Sequence, residues 1–201
     1  MNPRKSRIRW VAVLGSGTVA ENSPVYKQSV QLGLHLAQAG FNVCHGGYGG
    51  VMEGVARGCR LGGGHNTGIT IQKKGTGTFG LTSSPARGGV PVLLQKRASP
   101  RNRWVDAEIA MPSWERRLLK LIKMSDAYVF LDGATGTLTE LLFVWEMANK
   151  KLHAKPVILL GKRLRNLVKF LKKDPSLKIP ENFYLASTLS EALKILTGHR
   201  S

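Results

Sequence analysis

The amino-acid sequence predicts a three-layer α/β fold, in which a mostly parallel β-sheet carries helices on both faces. Short apolar runs rich in Val and Ile alternate with segments of helical spacing, the pattern of consecutive βαβ units. Several of these runs end in glycine-rich turns, which are typical of ligand-binding strand-to-helix connections. The chain has 201 residues, of which 42% are hydrophobic. This is enough for one packed core, so we expect one domain over residues 1–201.

The first βα unit begins with a strand at residues 10–14, which enters the turn Gly15-Ser16-Gly17. Ser23 provides an N-cap and Pro24 a proline in the first helical turn. Val30, Leu34 and Ala37 then mark one face of the helix at helical spacing, and Gly40 ends it. These signals predict a complete strand, turn and helix.

The second unit has a strand at 41–44, the glycine-rich turn 46–50 and a helix at 51–60, and a third strand follows at 67–71. Residues 73–103 are rich in Gly, Ser, Thr, Pro and basic residues, and they are interpreted as a long excursion. A strand is predicted inside the excursion, at 90–94, and an extended segment after it, at 104–109. Ser113 then caps a predicted helix whose Leu118, Leu119 and Ile122 face the core.

A buried strand is predicted at 127–131, followed by the turn 132–137. The next helix is marked by four apolar residues at helical spacing: Leu138, Leu141, Leu142 and Trp145. The remaining predicted elements are a strand at 156–160, a basic amphipathic helix at 164–171 and a helix at 190–196. The alternation of strands and helices therefore continues to the last predicted element.

The formal net charge is +18, because 30 basic residues face 12 acidic ones. This excess indicates an anionic partner, either a phosphorylated metabolite or a polyanion, and composition does not separate the two. A basic surface that serves solubility alone is the simpler alternative.

The longest apolar stretches, such as 11–14 and 157–160, are far shorter than the roughly 20 residues of a membrane helix. We therefore expect no membrane partner and a cytoplasmic protein. Cys44 and Cys59 lie in unlike contexts and have no metal-ligand spacing, so both are predicted to be reduced and structural. No metal site is predicted.

Three glycine-rich turns follow predicted strands, at the sheet edge where helix N-termini bind anions. The first turn superficially fits a dinucleotide-binding fingerprint. However, the following helix begins several residues after the turn, and the second strand does not end in an acidic residue that could bind the ribose. These departures exclude an NAD or FAD site. Glycines in the second turn permit close approach of a ligand, or equally tight helix packing. In the third turn, Thr137 and Glu140 lie at one end of a helix, where they fit either a ligand site or a capping box.

The third turn resembles the signature Pro-Gly-Gly-x-Gly-Thr-x-x-Glu of the LONELY GUY (LOG) family. This family is also labelled lysine decarboxylase-like and is placed in the Rossmann-like SLOG superfamily. Here the stretch reads Asp132-Gly133-Ala134-Thr135-Gly136-Thr137-Leu138-Thr139-Glu140. The resemblance extends over residues 9–161. It includes the turn from Gly46 to Gly54, and Arg117, which aligns with the arginine of the family's Arg-Lys pair.

The resemblance implies a single Rossmann-like nucleotide-binding domain that needs no cofactor. It also implies hydrolysis of the N-glycosidic bond of a nucleoside 5′-monophosphate, which releases free base and ribose 5-phosphate. Glu140 would stabilise the positive sugar and orient or deprotonate water, and Arg117 would position phosphate or Glu140. The implied substrate-binding residues are Gly15, Ser16, Gly46, Gly47, Gly49, Gly133, Thr135, Gly136 and Thr137. This hypothesis requires Arg117 and Glu140 to converge near the N–H groups of Gly136 and Thr137.

Two departures motivate a second hypothesis, a non-catalytic nucleotide sensor or carrier on the same fold. Asp132 replaces the family proline and Ala134 its second glycine, which places a charge and a methyl group beside the expected phosphate turn. A third hypothesis, nucleic-acid binding, rests on the net charge and on a cluster of basic and aromatic residues: Lys96, Arg97, Arg101, Arg103 and Trp104.

The sequence also predicts a homodimer. The helix that contains Phe143 and Trp145 has more apolar surface than one sheet face covers. The family resemblance implies the same assembly. We therefore expect helices at 113–124 and 138–148 to pack against a two-fold mate, with the pockets near the interface.

Overall fold

A computed structural model of the chain describes residues 8–72 and 100–198. In these residues seven strands form one sheet in the order β4-β3-β2-β1-β5-β6-β7, and all six pairings are parallel. The strands are β1 Trp10–Leu14, β2 Asn42–His45, β3 Asn66–Ile71, β4 Ala107–Met111, β5 Ala127–Phe130, β6 Val157–Leu159 and β7 Phe183–Leu185. The predicted parallel sheet is confirmed.

Helices cover both faces of the sheet and pack on two separate core clusters. They are α1 Pro24–Gln38, α2 Val51–Leu61, α3 Trp114–Met124, α4 Thr135–Asn149, α5 Lys162–Leu171 and α6 Leu189–Gly198. One cluster contains apolar residues of α1, α2 and α6, and the other contains those of α3, α4 and α5. The predicted three-layer arrangement is therefore confirmed.

The strand order places the middle of the sheet at β1, between β2 and β5. The chain first builds outward through β2, β3 and β4, and then returns to the other side of β1 with β5. Every residue of β5 is buried, as are Val11–Leu14 of β1, which explains their continuous apolar sequences. The loops after β1, β2 and β5 meet at this switch point, where α/β sheets form ligand crevices.

Two helices begin at the predicted N-caps. The Ser23 hydroxyl accepts a hydrogen bond from the Tyr26 N–H at 3.2 Å, and Pro24 is the first residue of α1. The Ser113 hydroxyl likewise accepts from the Arg116 N–H at 3.4 Å. Each side chain satisfies an N–H group that has no partner within its helix, so both predicted starts are confirmed.

Other expectations were wrong in detail. The extended segment predicted at 104–109 lies further along the chain, since β4 is Ala107–Met111, and β7 was not predicted. Leu119 was expected to face the core, yet it is 40% exposed, and Leu142, one of the apolar residues by which α4 was predicted, is 53% exposed. The strand predicted at 90–94 lies outside the described residues. Among the described residues, no helix is long and apolar enough to cross a membrane.

Candidate functional site

A cleft of about 300 Å³ opens at the carboxyl edge of the sheet, where the turns after β1, β2 and β5 meet. Seven of the predicted site residues line it: Gly15, Ser16, Gly46, Arg117, Gly136, Thr137 and Glu140. Sequence reasoning missed Tyr48, Met52 and Trp114, which also line the cleft. Within the described residues, the remaining predicted positions do not line it: Gly47, Gly49, Gly133 and Thr135.

The first turn is fixed by backbone hydrogen bonds to the other two. The Ser16 N–H donates to the Asp132 carbonyl at 3.1 Å, and the Val51 N–H donates to the Ser16 carbonyl at 2.8 Å. A Cβ added at Gly15 would lie 2.9 Å from the methyl groups of Val51. Gly15 therefore serves close packing of this turn against α2, and the cleft gains a rigid wall.

The second turn follows β2 and is fixed from two sides. Gly47 has φ +80°, a conformation that favours glycine. Its carbonyl accepts from the Asn102 N–H at 2.9 Å, and its own N–H donates to Nδ1 of His45 at 3.0 Å. A Cβ at Gly46 would overlap the guanidinium of Arg117. Glycine at position 46 is thus what allows the arginine to reach the turn.

His45, the last residue of β2, is a buried residue that the sequence did not single out. Because Nδ1 accepts the Gly47 N–H, the proton lies on Nε2, which donates to Oδ1 of Asn66 at 3.1 Å. Burial lowers the pKa of His45 to about 4, with a smaller contribution in the same direction from the nearby Arg117, while the hydrogen bond to Asn66 opposes the shift. A neutral imidazole therefore holds the second turn in place.

The third turn leads directly into α4. The helix begins at Thr135 after Ala134, whose extended backbone is not accompanied by a side-chain cap. Thr137 therefore lies inside the first turn of the helix, and the capping-box interpretation of Thr137 with Glu140 was wrong. The first helical hydrogen bond runs from the Leu138 N–H to the Ala134 carbonyl at 3.1 Å. The N–H groups of Gly136 and Thr137 come before this bond and so have no acceptor within the helix. They form a helix end at the cleft of the kind that favours anions.

Arg117 is the most constrained side chain of the cleft, with an exposed fraction of 6%. Its Nε donates to the Ile69 carbonyl at 2.7 Å, and its Nη2 donates to the Gly46 carbonyl at 3.1 Å. Nη1 lies 3.9 Å from Oε1 of Glu140. The guanidinium also lies over the ring of Tyr48, 5.4 Å from its centroid. These contacts fix the guanidinium in one orientation, with one edge directed at Glu140.

Glu140 is partly buried on the second turn of α4, with a side chain that is 13% exposed. Burial raises its pKa from the ordinary value of 4.5 to about 7, although the positive charge of Arg117 opposes that shift. A carboxyl group with this pKa exchanges its proton near neutral pH, which suits acid–base chemistry. The cleft thus brings a titratable carboxyl group to a helix N-terminus.

Asp132 does not place its charge in the cleft, contrary to the sequence expectation. Its Oδ1 accepts from the Leu164 N–H at 3.1 Å, and its Oδ2 accepts from the Arg163 N–H at 3.2 Å. The carboxylate therefore caps the N-terminus of α5, where a negative charge is favourable. The departure from the family proline is explained by this cap rather than by a change in the pocket.

The basic cluster predicted for nucleic acid is only partly described, because Lys96 and Arg97 lie outside the described residues. Arg103 lies over the ring of Trp104, with 5.0 Å to its centroid, and Arg101 lies 3.6 Å from Glu108. Both arginines already have partners within the chain. The described residues contain no group of His, Cys, Asp and Glu that could hold a metal ion, and both cysteines are buried and free.

Comparison with known proteins finds relatives with the same fold. The chain is 31% identical to the rice protein named "Probable cytokinin riboside 5'-monophosphate phosphoribohydrolase LOGL5" (Oryza sativa subsp. japonica). The matched region covers 157 residues and 78% of this chain, but only 55% of the rice protein. This chain therefore spans little more than half the length of that relative.

Two solved structures share the fold at lower identity. The molybdenum cofactor binding protein of Rippkaea orientalis is 22% identical with a TM-score of 0.65, and the match covers 98% of this chain and 99% of that one. The molybdenum cofactor carrier protein of Chlamydomonas reinhardtii is 20% identical with a TM-score of 0.67, over 96% and 98% of the two chains.

The chain also matches a family profile, that of the SLOG cluster4 family, over residues 8–186. This range includes all three turns of the cleft. The resemblance inferred from the sequence is therefore confirmed, and the chain belongs to the SLOG cluster4 family.

Proposed function

We propose that the protein is a nucleoside 5′-monophosphate phosphoribohydrolase. The observation that carries the proposal is the pair of buried Arg117 and partly buried Glu140 beside the N-terminus of α4, in a cleft of about 300 Å³. A relative's printed name gives the same class of activity. The proposal requires a phosphate site, a carboxylate and room for water, and the cleft offers the residues for each.

The N-terminus of α4 fits the 5′-phosphate, because the N–H groups of Gly136 and Thr137 and the helix dipole favour a doubly negative group. With the phosphate at this position, we expect the ribose to lie over Glu140, which is about one helical turn further along α4. In hydrolysis, the C1′–N bond breaks with its electron pair leaving on the base. The oxygen of water then bonds to C1′, Glu140 accepts the proton that this water loses and returns it to solvent, and the departing base takes up one proton from solvent.

Glu140 has two roles in this scheme. As a carboxylate it stabilises the positive charge that develops on the ribose, and as a base it orients and deprotonates the water. Arg117 donates to the carbonyls of Ile69 and Gly46, so its guanidinium is oriented within the protein. We therefore assign to Arg117 the positioning of Glu140 rather than direct contact with phosphate.

Purified protein incubated with AMP, GMP, CMP and N6-modified AMP tests the proposal, with free base and ribose 5-phosphate measured by chromatography. We expect release of both products in equal amounts from at least one nucleotide. Absence of release from the whole panel at high enzyme concentration would reject the enzyme. Calorimetry on the same panel then decides the second candidate, a sensor or carrier, since tight stoichiometric binding without turnover supports it.

The sensor or carrier is favoured by Ala134, whose methyl group stands where the family has glycine and which lines the cleft. An added methyl group at the turn alters the room for a phosphate without touching the carboxylate. A protein with alanine at this position could therefore bind a nucleotide without hydrolysing it. Hydrolysis remains the first proposal because Asp132, the other departure, is directed to α5.

The pKa of Glu140 predicts a pH dependence. We expect kcat to rise with pH and to level off above about 7, because only the ionised carboxyl group performs the proposed chemistry. A carboxyl pKa that folding raises also means that the free energy of unfolding falls as pH increases from 4.5 to about 7. Initial rates and urea unfolding across this range measure both effects. Flat profiles in both measurements would contradict the raised pKa.

The predicted homodimer is also a proposal. Leu142 and Phe143 on α4 and Leu119 on α3 are 53%, 38% and 40% exposed, which leaves apolar surface on the two helices expected at the interface. Sedimentation equilibrium at micromolar concentration should give twice the 22.0 kDa mass of the chain. L142E should give the monomer mass. L152E is the matched control, because Leu152 is 68% exposed but lies beyond α4, and it should leave the dimer intact. A wild-type mass of 22.0 kDa would refute the dimer.

A further inference from the structure

The net positive charge of the described residues is confined to residues 150–178, which we call the basic segment and which contains α5. It holds ten lysines and arginines but one acid, Asp174, a net charge of +9. The other described residues, 8–72, 100–149 and 179–198, contain eleven bases and eleven acids. The net charge of the described part therefore comes entirely from one contiguous stretch. A charge that served solubility alone would have no reason to be concentrated in this way.

The basic segment presents its charges to solvent through α5. Leu164 and Val168 of this helix are buried in the core, with exposed fractions of 3% and 2%. The opposite side of the helix and the residues after it are exposed and basic: Lys162, Arg163, Lys169, Lys172 and Lys173. Among the described residues these five have no carboxylate within ion-pair distance. They are therefore available to an external anion.

One large aromatic side chain stands among these charges. Phe170 is 67% exposed and lies between Lys169 and Lys172 in sequence, on the face of α5 that the core does not use. An exposed ring flanked by lysines is the combination by which proteins bind single-stranded nucleic acids, since the ring stacks on a base while the lysines contact phosphates.

An anionic membrane is the competing partner, but the helix does not fit it. A helix that lies in a membrane interface inserts a broad apolar face, and the apolar face of α5 already packs on the sheet through Leu164 and Val168. The side of α5 that faces solvent carries basic residues and one aromatic ring, that of Phe170. An acidic protein lacks the regular charge spacing of a phosphate backbone, and it offers no unpaired base to stack on Phe170.

We propose that the basic segment binds single-stranded nucleic acid without sequence preference, with the lysines of α5 and of the residues directly after it on the phosphates and Phe170 stacked on a base. The interaction is independent of nucleotide hydrolysis in the cleft. Its contacts are mostly electrostatic, so the affinity should fall steeply as salt is added. Since stacking requires an unpaired base, we expect single strands to bind more tightly than a duplex of equal length.

Fluorescence anisotropy with a labelled oligothymidylate of about 20 nucleotides tests the proposal, at several salt concentrations. The charge-reversal variant K169E/K172E/K173E should weaken binding at least about tenfold and reduce the slope of log K against log salt by about 2, the sum expected for three phosphate contacts on a single strand. F170A should weaken binding by about tenfold and leave the salt slope unchanged, because stacking does not release counterions.

The matched control is K27E/K123E/K194E, which makes the same change in net charge at three exposed lysines outside the basic segment. It should retain most of the affinity, and circular dichroism verifies that both variants are folded. Equal losses in the two variants would overturn the proposal, since net charge alone would then explain binding. Absence of oligonucleotide binding at low salt would overturn it too. Binding to phosphatidylserine vesicles but not to the oligonucleotide would assign the segment to a membrane instead.

Discussion

The variant E140Q is expected to lose about 10³-fold in kcat for the release of base, and to bind nucleoside monophosphate with unchanged affinity. The glutamine keeps the size of the side chain and its place beside Arg117, but it neither carries a negative charge nor accepts a proton. The phosphate site on α4 is left intact, so ground-state binding should persist. Single-turnover kinetics give the chemical step, and calorimetry with AMP gives the affinity.

The control for this variant is E146Q, on the same helix. The side chain of Glu146 is 62% exposed and pairs with Lys150 at 3.5 Å on the surface, an interaction that contributes little to stability. We expect this variant to match the wild type in rate, affinity and free energy of unfolding. Full activity in E140Q would remove Glu140 from the mechanism. Loss of AMP binding in E140Q would show instead that the carboxyl group belongs to the binding site.

Replacement of Arg117 by methionine is expected to have the largest effect on stability, a loss of about 3 kcal/mol in the free energy of unfolding. The change leaves the carbonyls of Ile69 and Gly46 without the donors that now satisfy them, and it leaves Glu140 without its partner. Because Arg117 lowers the pKa of Glu140, its removal should also move the pH profile of kcat to higher pH.

R116M is the matched control, because Arg116 precedes Arg117 on α3 and its side chain is exposed to solvent. Urea unfolding should separate the two variants by about 3 kcal/mol. The pH profile distinguishes positioning from simple loss of fold, since a partly unfolded enzyme loses amplitude without a change in apparent pKa. If R117M keeps the wild-type pH profile at reduced stability, Arg117 is structural and does not set the state of Glu140.

Local chemistry explains which parts of the fold were predictable. Ser23 and Ser113 indicate where their helices begin, because an N-cap contacts residues only three positions away. The uninterrupted apolar runs of β1 and β5 predict buried strands. The edge strand β7 has three half-buried or exposed residues and no such run, so nothing local indicates it. Leu142 shows the limit of helical periodicity, since α4 is apolar on more than one side and spacing alone does not say which side meets the sheet.

The candidate site was less predictable because its decisive contacts are long-range. Arg117 was found through the family resemblance, and its partners Gly46 and Ile69 are 71 and 48 positions away in sequence. The pair of His45 and Asn66 joins strands through side chains, which no periodicity reveals. Asp132 was expected beside the phosphate because it replaces the proline of the family's signature turn, yet its cap on α5 depends on residues 31 and 32 positions later. The cytoplasmic location and the single domain stay predictions.

The cap that Asp132 forms on α5 imposes an order on the substitutions that this turn can accept. A side chain at Gly161 would collide with both the carboxylate and the backbone nitrogen of Asp132, so position 161 requires glycine. A substitution of proline at position 132 would leave the N–H groups of Arg163 and Leu164 without their acceptor. Such a step is deleterious unless a capping side chain has already arisen at another position. The turn therefore shows epistasis, because whether a substitution at position 132 is tolerated depends on the residues that its neighbours already have.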